Sequence, residues 1–364
     1  MLLLETLSLS GFRSIKQLDS FQFGPITVLI GANGSGKSNL IGFFRMMRNA
    51  MHGALQIFLQ EGGGASNFLH FGPSRTPKLS ANLDFVLFPK LNRTYHCELG
   101  FVSIDRMIFM MEEVQSIPVV GVERLESGLA PGNQNRVPET DKAFIQKFLA
   151  GINIFHFQDT SMTSRMRNYC RQDDDPCLYV DGGNLAAVLL RLQKEFPANY
   201  RRIVAGVNTV FPELKDFHLE PSAGNGTSLL LRWRPTSNPT EVFGPSHLSD
   251  GTLRMMALVT LFNLPPEMAP TMIILDEPEL GLHPAAEAYL SSLIRSASTQ
   301  TQVLLSTQSA TLVDHFKPSE VVVAEMHEGA STFNRLDAEK LNHWLKRYTL
   351  GEAWRKNVFG GRPE

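Results

Sequence analysis

The chain has 364 residues, of which 43% are hydrophobic and 19% are charged, and its formal net charge is -2 at pH 7. This composition excludes a disordered chain, a collagen and a coiled-coil rod, and it allows a large buried core. The balanced charge excludes a general attraction to nucleic acid or anionic membranes, so any contact with DNA requires a local basic patch.

Neither a membrane segment nor a secretory signal is recognisable in the sequence. Apolar residues open the chain, but Glu5 follows at once, and no run approaches the ~18 apolar residues of a membrane helix. The three cysteines, Cys97, Cys170 and Cys177, are too few for a disulfide framework and lack the paired spacing of a zinc site. We therefore expect a cytoplasmic protein without membrane contact.

A phosphate-binding loop is predicted near the N-terminus. The β-branched run Ile26–Ile30 indicates a buried strand, a helical pattern follows Asn39, and the residues between them match G-x-x-x-x-G-K-[ST]. An accidental glycine-rich turn is the alternative, although only roughly 0.01 such matches are expected from residue frequencies. The nucleotide-binding candidates are Gly31, Ala32, Asn33, Gly34, Ser35, Gly36, Lys37, Ser38 and Asn39.

Two of these side chains have specific chemical tasks in such a loop. Lys37 reaches the β and γ phosphate oxygens, and Ser38 offers its hydroxyl to Mg²⁺. The glycines allow backbone N–H groups to face the phosphates, and the helix N-terminus adds positive potential. ATP and Mg²⁺ are therefore the expected ligands.

The middle of the chain predicts an antiparallel sheet followed by helices. A glycine-rich loop over 62–77 precedes the sheet, and Gly, Pro and Asn over about 120–140 indicate a mobile excursion. The strand-like runs lie near 79–88, 93–103 and 106–111. Helices are expected over 184–196 and 198–210, divided at Pro197.

Polar residues follow two apolar strands. Gln158 comes after the alternating run Ile152–Phe157, and Asp276 and Glu277 end the buried run that begins at Met272. The carboxyl ends of parallel strands are where such sheets bind ligands. We expect Asp276 to hold the Mg²⁺ shell and Glu277 to accept a proton from the attacking water. Another buried strand starts at Val303 and ends in Gln308.

Three arginines, Arg165, Arg167 and Arg171, stand beside the acidic run Asp173–Asp175. Such a mixture indicates either a solvated loop that compensates its own charge or a patch that contacts a phosphate backbone. The sequence leaves both interpretations open.

The motif order resembles an ABC-type ATPase head of the RecF/SMC/OLD-like branch. Leu248–Thr252 has the form of an ABC signature before a helical run, and Asp276–Pro284 resembles Walker B with its D-loop. The likeness covers nearly the whole chain, from Gly11–Ile15 to Ser306–Ser309. The stretch Leu350–Pro363 is similar to the ends of stand-alone predicted ATPases.

The resemblance implies an α/β fold with a mixed central sheet, an N-terminal antiparallel β-subdomain and a helical subdomain that bears the signature. One ATPase head is expected over 1–364. Its expected parts are a nucleotide-binding core (1–60 and 240–335), a β-subdomain with a mobile loop (61–150), a Q-loop strand with the helical subdomain (151–239) and a C-terminal helix and tail (336–364).

The resemblance also assigns residues. Gln158 matches the Q-loop glutamine of the Mg²⁺ shell, and Ser249 and Gly251 match signature residues that act on the ATP of a second copy, which implies an ATP-dependent homodimer. Arg13 matches an early arginine near the nucleotide, with a surface basic residue as the alternative. The catalytic candidates are Glu277, Lys37 and Gln308.

Three positions depart from the family pattern. Gln308 stands where a histidine is usual, His283 where many heads have a D-loop aspartate, and Asp250 where the signature has glycine. The first departure implies slow hydrolysis. No sustained heptads occur between Gln158 and Leu248, so a long coiled coil is not expected, and the 56 residues after Gln308 are too few for a Toprim nuclease domain.

Two functions remain open. The first is an ATP-hydrolysing, ATP-gated dimer in DNA repair or anti-phage defence that controls double-stranded DNA or a separate nuclease or toxin. The second is a slow or non-hydrolysing sensor or scaffold that restrains such an effector. A transporter ATPase is disfavoured by the Gly11–Ser14 opening and by Glu279–Pro284.

Overall fold

The computed structural model describes residues 2–87, 91–103, 105–117, 139–221 and 226–362. Most of the excursion expected over about 120–140 lies outside these residues. The strands are β1 (Leu2–Phe12), β2 (Ile15–Gln22), β3 (Ile26–Ile30), β4 (Lys78–Leu87), β5 (Leu91–Val102), β6 (Arg106–Ile117), β7 (Ile152–Phe155), β8 (Cys170–Arg171), β9 (Leu214–His218), β10 (Ser228–Leu229), β11 (Arg232–Pro235), β12 (Met272–Asp276), β13 (Gln302–Ser306), β14 (Val321–His327) and β15 (Ala330–Arg335).

The helices complete the secondary structure. They are α1 (Lys37–Met51), α2 (Leu55–Glu61), α3 (Glu139–Ala150), α4 (Leu185–Glu195), α5 (Pro197–Val210), α6 (Asp250–Phe262), α7 (Pro284–Ala297), α8 (Ala310–Val313), α9 (Ala338–Leu345) and α10 (Leu350–Arg355). Within the described ranges, no helix is both long and apolar enough to cross a membrane.

The chain forms two compact units, and the first consists of Met1–Ile152, Pro318–His343 and Trp354–Glu364. It contains an antiparallel sheet in the order β2-β1-β4-β5-β6, which confirms the expected N-terminal antiparallel sheet and also includes β1 and β2, from residues that were expected in the nucleotide-binding core. Leu7 lies opposite Leu83, and Leu83 opposite Tyr95, and all three are fully buried. Because side chains alternate along a strand, these positions form one apolar face.

The first unit also contains part of a mixed sheet. Strand β3 pairs in parallel with β14, which pairs antiparallel with β15. Every residue of β3 is buried, as expected for a strand covered on both faces. Helix α1 follows β3 and buries Phe43 and Phe44, and Phe43 contacts Phe12 of β1 edge-to-face with ring centroids 5.8 Å apart.

The second unit consists of Asn153–Lys317 and Trp344–Ala353. Strands β12 and β13 pair in parallel, with Asp276 opposite Ser306, and β7 neighbours β12. Helix α6 packs against α5 and α7, and its residues from Leu253 to Leu261 are all buried. Helix α6 of this layer begins directly after Ser249 of the predicted signature.

The end of the chain differs from the expectation of a tail, because α10 forms after Thr349. The hydroxyl of Thr349 accepts a hydrogen bond from Glu352 N at 3.2 Å, and Glu352 Oε2 accepts one from Thr349 N at 2.9 Å. This reciprocal pair is a capping box, which satisfies two amides that a short helix leaves unpaired.

Two strands also differ from their expected bounds. Strand β6 extends beyond residue 111, and β7 ends at Phe155 rather than at Phe157.

Candidate functional site

The phosphate loop of the first unit turns sharply between β3 and α1. Gly36, the residue before α1, has φ +103, and a Cβ atom there would lie 2.0 Å from Ser331 Oγ, so only glycine fits. Its carbonyl accepts hydrogen bonds from Asn39 N and Leu40 N at 3.0 and 3.1 Å. The N-terminus of a 15-residue helix therefore begins directly behind the loop.

Lys37 lies buried inside this loop. Its ammonium donates hydrogen bonds to the carbonyls of Gly31 at 2.5 Å and Ala32 at 3.0 Å. The hydroxyl of Ser35 is also buried, and it has no hydrogen-bond partner among the described residues. Asn33, Gly34 and Ser38 are exposed. An ammonium, a helix N-terminus and an unsatisfied hydroxyl together form a donor set that fits phosphate oxygens.

Ser14 and Ser331 support the first turn of α1, and sequence reasoning did not identify either. Ser14 Oγ accepts a hydrogen bond from Asn39 Nδ2 at 2.6 Å and lies 2.6 Å from Ser331 Oγ. Ser331 N also donates to Ser14 O at 2.7 Å. Ser14 directly follows Arg13 in the motif Gly11–Ile15, but only the fold brings Ser331 of β15 to it.

Arg13 lies beside α1 in the left-handed backbone region, with φ +47. Its guanidinium stacks on Phe68 at 4.4 Å from the ring centroid, and a Cβ atom at Gly42 would lie 3.4 Å from its Nη1. Burial, with a smaller contribution from Arg45, lowers the pKa of this guanidinium. Arg13 is thus partly buried beside α1.

Asp276 and Glu277 lie at the carboxyl end of β12 in the second unit. Ser306 donates a hydrogen bond to the Asp276 carboxylate, and His156 Nε2 is 3.9 Å from its other oxygen. Glu277 has φ +48, a strained conformation that costs a non-glycine residue about 1–2 kcal/mol. Its carboxylate accepts a hydrogen bond from Gln308 Nε2. The second unit therefore brings both predicted carboxylates and Gln308 together.

Glu279 anchors the segment that contains Gln308, although sequence reasoning gave it no role. Its buried carboxylate accepts hydrogen bonds from Thr307 Oγ1 at 2.6 Å, Gln308 N at 3.0 Å and Ser309 N at 3.3 Å. Burial raises the pKa of Glu279, and these hydrogen bonds oppose part of the increase. The carboxylate fixes the backbone that carries Gln308.

Gln158 lies at the same carboxyl edge. Its Nε2 donates to the backbone carbonyl of Asp276 at 3.4 Å, and the backbone carbonyl of Gln158 accepts a hydrogen bond from Arg254 Nη2 at 3.1 Å. Arg254 Nε also donates to Phe157 O at 2.8 Å. Since Arg254 belongs to α6, its side chain connects the backbone of Phe157 and Gln158 to the helix that follows the signature.

The signature segment caps α6. Exposed Ser249 accepts a hydrogen bond from Thr252 N at 3.1 Å through its hydroxyl, as an N-cap residue. A Cβ atom at Gly251 would lie 2.9 Å from the carbonyl of Gly281, so Gly251 allows the signature and the D-loop to approach closely. His283 caps α7, with its Nδ1 accepting from Ala285 N at 3.3 Å.

The arginine cluster has mostly structural partners. Buried Arg167 donates hydrogen bonds to the carbonyls of Thr160, Pro245 and Leu248 and to the Asp250 carboxylate. Arg165 pairs with Asp181 at 2.8 Å, and Arg171 pairs with Asp173 at 2.6 Å. Arg165 and Arg171 thus compensate nearby acids, as a solvated loop would, whereas Arg167 is buried against the segment around Leu248.

Two segments of the chain, residues 26–88 and 231–314, match the family described as "AAA domain, putative AbiEii toxin, Type IV TA system". They contain the phosphate loop, the signature, Asp276, Glu277 and Gln308. No curated protein matches the sequence.

The fold is similar to solved SMC heads. A head bound to the C-winged helix domain of ScpA is 16% identical, with a TM-score of 0.59 over 93% of this chain and 99% of that chain. The SMC head domain from Thermotoga maritima is 15% identical, with a TM-score of 0.52 over 92% and 99%. A head from Pyrococcus furiosus, bound to the C-terminal domain of ScpA, is 15% identical, with a TM-score of 0.56 over 95% and 99%. At these identities the likeness shows the fold, that of an ABC-ATPase head.

Proposed function

We propose that this chain, a P-loop protein of the RecF/SMC-like ABC-ATPase branch, binds ATP with Mg²⁺ and hydrolyses it. The proposal of hydrolysis depends on the hydrogen bond from Gln308 to the carboxylate of Glu277. Glu277 directly follows β12, whose last residue is Asp276. A carboxylate held in this way suits a general base that accepts a proton from water. Glu277 is that base in our proposal, and Gln308 positions it.

The phosphate loop supports ATP binding. Residues Gly31 to Asn39 would surround the phosphates, with Lys37 as the cation that offsets their charge. The buried hydroxyl of Ser35 supports this role, because a phosphate oxygen would provide the hydrogen-bond acceptor that the described residues do not supply. Arg13, which lies beside α1, is proposed as a further cation near the nucleotide.

The proposed Mg²⁺ ligands fit a hard cation. Ser38, Asp276 and Gln158 offer a hydroxyl, a carboxylate and an amide oxygen, which are donor types that Mg²⁺ prefers. When bound, Mg²⁺ neutralises charge on the phosphate oxygens. Ser306 and the half-buried setting of Asp276 hold its carboxylate in one orientation.

We also propose that two copies associate when ATP is bound. Ser249 is exposed although its hydroxyl caps α6, and Gly251 lies in the first turn of the same helix, so the signature offers a helix N-terminus at the surface. Such an N-terminus can bind the terminal phosphate held by a second copy. Hydrolysis would remove that shared anion and release the copies.

The process controlled by this cycle is proposed to be DNA repair or anti-phage defence. The matched family's description names a toxin, and two of the similar SMC heads are bound to a domain of ScpA, which supports control of a partner protein. Double-stranded DNA or a separate nuclease or toxin is the proposed partner of a cytoplasmic homodimer. A second candidate is a slowly hydrolysing or non-hydrolysing sensor or scaffold. It is favoured because the side chain that contacts the general base Glu277 is the neutral amide of Gln308, which cannot titrate.

The test compares wild type, Lys37→Ala and Glu277→Gln by ATP binding, steady-state hydrolysis and sedimentation, with and without ATP and double-stranded DNA. We expect wild type to hydrolyse ATP, Lys37→Ala to lose ATP binding, and Glu277→Gln to bind ATP, lose turnover and sediment as a dimer only with ATP. DNA-stimulated turnover supports DNA as the partner. ATP binding without turnover and with a fixed oligomer would favour the sensor instead.

A further inference from the structure

The C-terminal segment of the first unit returns to the phosphate loop after α10. Trp354 is fully buried, and its Nε1 donates a hydrogen bond to Gly361 O at 2.5 Å. Gly361 N donates to Glu325 Oε1 at 3.0 Å. Glu325 belongs to β14, the strand that pairs in parallel with β3 and therefore ends beside the start of the loop.

The contact with the loop is made by backbone. A Cβ atom at Gly361 would lie 3.4 Å from Gly31 Cα and 2.4 Å from Val323 Cγ1, and Gly361 has φ +61. A Cβ atom at Gly360, where φ is +84, would lie 2.5 Å from Glu325 Oε1. Two consecutive glycines thus allow the C-terminal backbone to lie directly against the first residue of the phosphate loop.

Arg362 follows Gly361 immediately, and its side chain is exposed. The buried indole and the two glycines explain how the segment is attached, but the attachment itself requires no guanidinium at the next position. Arginine is the side chain best suited to phosphate, because its planar fork donates two parallel hydrogen bonds and keeps its charge at any physiological pH.

We infer that Arg362 is a ligand for the phosphates of a nucleotide bound in the P-loop of its own chain. The inference rests on the proposed ATP binding and adds to it a cation that comes from the C-terminal segment. Trp354, Gly361 and Glu325 are positioning residues, since they fix the backbone from which the guanidinium extends. The P-loop and its additional cation are then held by one compact unit of the chain.

The test measures the affinity of the full chain for Mg²⁺-ATP and for adenosine by calorimetry, together with the melting temperature without ligand. The variants are Arg362→Ala, Arg362→Lys and the matched control Arg355→Ala, which removes an exposed arginine from the end of α10. We expect Arg362→Ala to weaken ATP binding by about tenfold or more, which corresponds to one charged hydrogen bond. Adenosine affinity and melting temperature stay unchanged, Arg362→Lys recovers part of the loss, and Arg355→Ala matches wild type.

The outcomes separate this inference from the proposed function. Unchanged ATP affinity in Arg362→Ala, with Lys37→Ala unable to bind, overturns the role of Arg362 and leaves ATP binding intact. An equal loss for ATP and adenosine, or a lower melting temperature, also overturns it, because the residue would then be structural. If wild type does not bind ATP, the proposed function fails and the inference fails with it.

Discussion

The side-chain amide of Gln308 donates a hydrogen bond to the carboxylate of Glu277, across the carboxyl ends of the neighbouring parallel strands β13 and β12. The two residues are held from both sides, because Glu277 N donates to Ser306 O at 3.0 Å and Gln308 N donates to Glu279. A neutral amide in this place orients the carboxylate without adding charge to it.

This contact predicts different effects for its two members. Glu277→Gln is expected to reduce turnover by roughly 100-fold or more, since a positioned general base contributes about 10²–10⁴-fold. Gln308→Ala removes the orienting contact and leaves the general base in place, so we expect a loss of about tenfold in kcat with ATP affinity unchanged. Steady-state kinetics and equilibrium binding measure both. A change in ATP affinity with kcat unchanged would indicate that Gln308 contacts the bound nucleotide rather than orienting the carboxylate of Glu277.

Glu279 predicts a dependence of stability on pH. Its pKa is higher in the folded chain than in the unfolded chain. At a pH between these two pKa values the folded state therefore binds more protons than the unfolded state. Stability is full below the unfolded pKa and is lost as pH rises through the folded pKa. Glu279→Gln keeps an oxygen for the three donors and removes this loss. We expect the variant to be more stable than wild type by about 1 kcal/mol at high pH and equal to it below the unfolded value.

Denaturant unfolding across this pH range measures the difference. Glu267→Gln is the matched control, because it neutralises an exposed carboxylate in the same unit. A Glu279→Gln variant that is less stable than wild type at high pH, where Glu279 is ionised, and equal to it at low pH would show that the charge itself, rather than an acceptor oxygen, is required.

Arg167 is predicted to be structural. It is buried and joins Thr160 to the signature segment through Leu248 and Asp250. Arg167→Met leaves these acceptors unsatisfied, and we expect a loss of about 3 kcal/mol in the free energy of unfolding. Arg171→Met, the control at an exposed arginine that pairs with Asp173, should leave stability unchanged. Equal stability of the two variants would contradict the assignment.

Ser249 allows the cap of α6 to be separated from a ligand role. Ser249→Ala removes the acceptor for Thr252 N and should cost about 1 kcal/mol of stability, and it should also weaken ATP-dependent association. Ser249→Asp keeps a side-chain cap, so its stability should match wild type, but its charge repels a phosphate. Sedimentation with ATP should therefore find Ser249→Asp monomeric. If that variant still forms a dimer with ATP, Ser249 does not contact the phosphate held by the second copy.

Contiguous motifs were predictable because their chemistry follows from neighbouring residues. The predicted phosphate loop lies between a strand and a helix whose patterns are explicit, and the helical run expected after Leu248–Thr252 is α6. Asp276 and Glu277 were recognisable in the same way, since a buried strand must end before two carboxylates. Helix α10 was missed because only the Thr349–Glu352 capping box marks it, within a short and weakly patterned segment.

The sequence by itself determined the α/β class, the strand–loop–helix order around Gly31–Asn39, the two carboxylates at the end of β12 and the helix after Ser249, because each depends on local order along the chain. Only the tertiary structure decided that Glu279 holds the segment of Gln308, that Arg167 and Arg254 join the signature to the segment after β7, and that Gly361 lies against Gly31. These contacts join residues about 30 to 330 positions apart, and hydrogen bonds and close backbone approach over such separations leave no periodic pattern in the sequence.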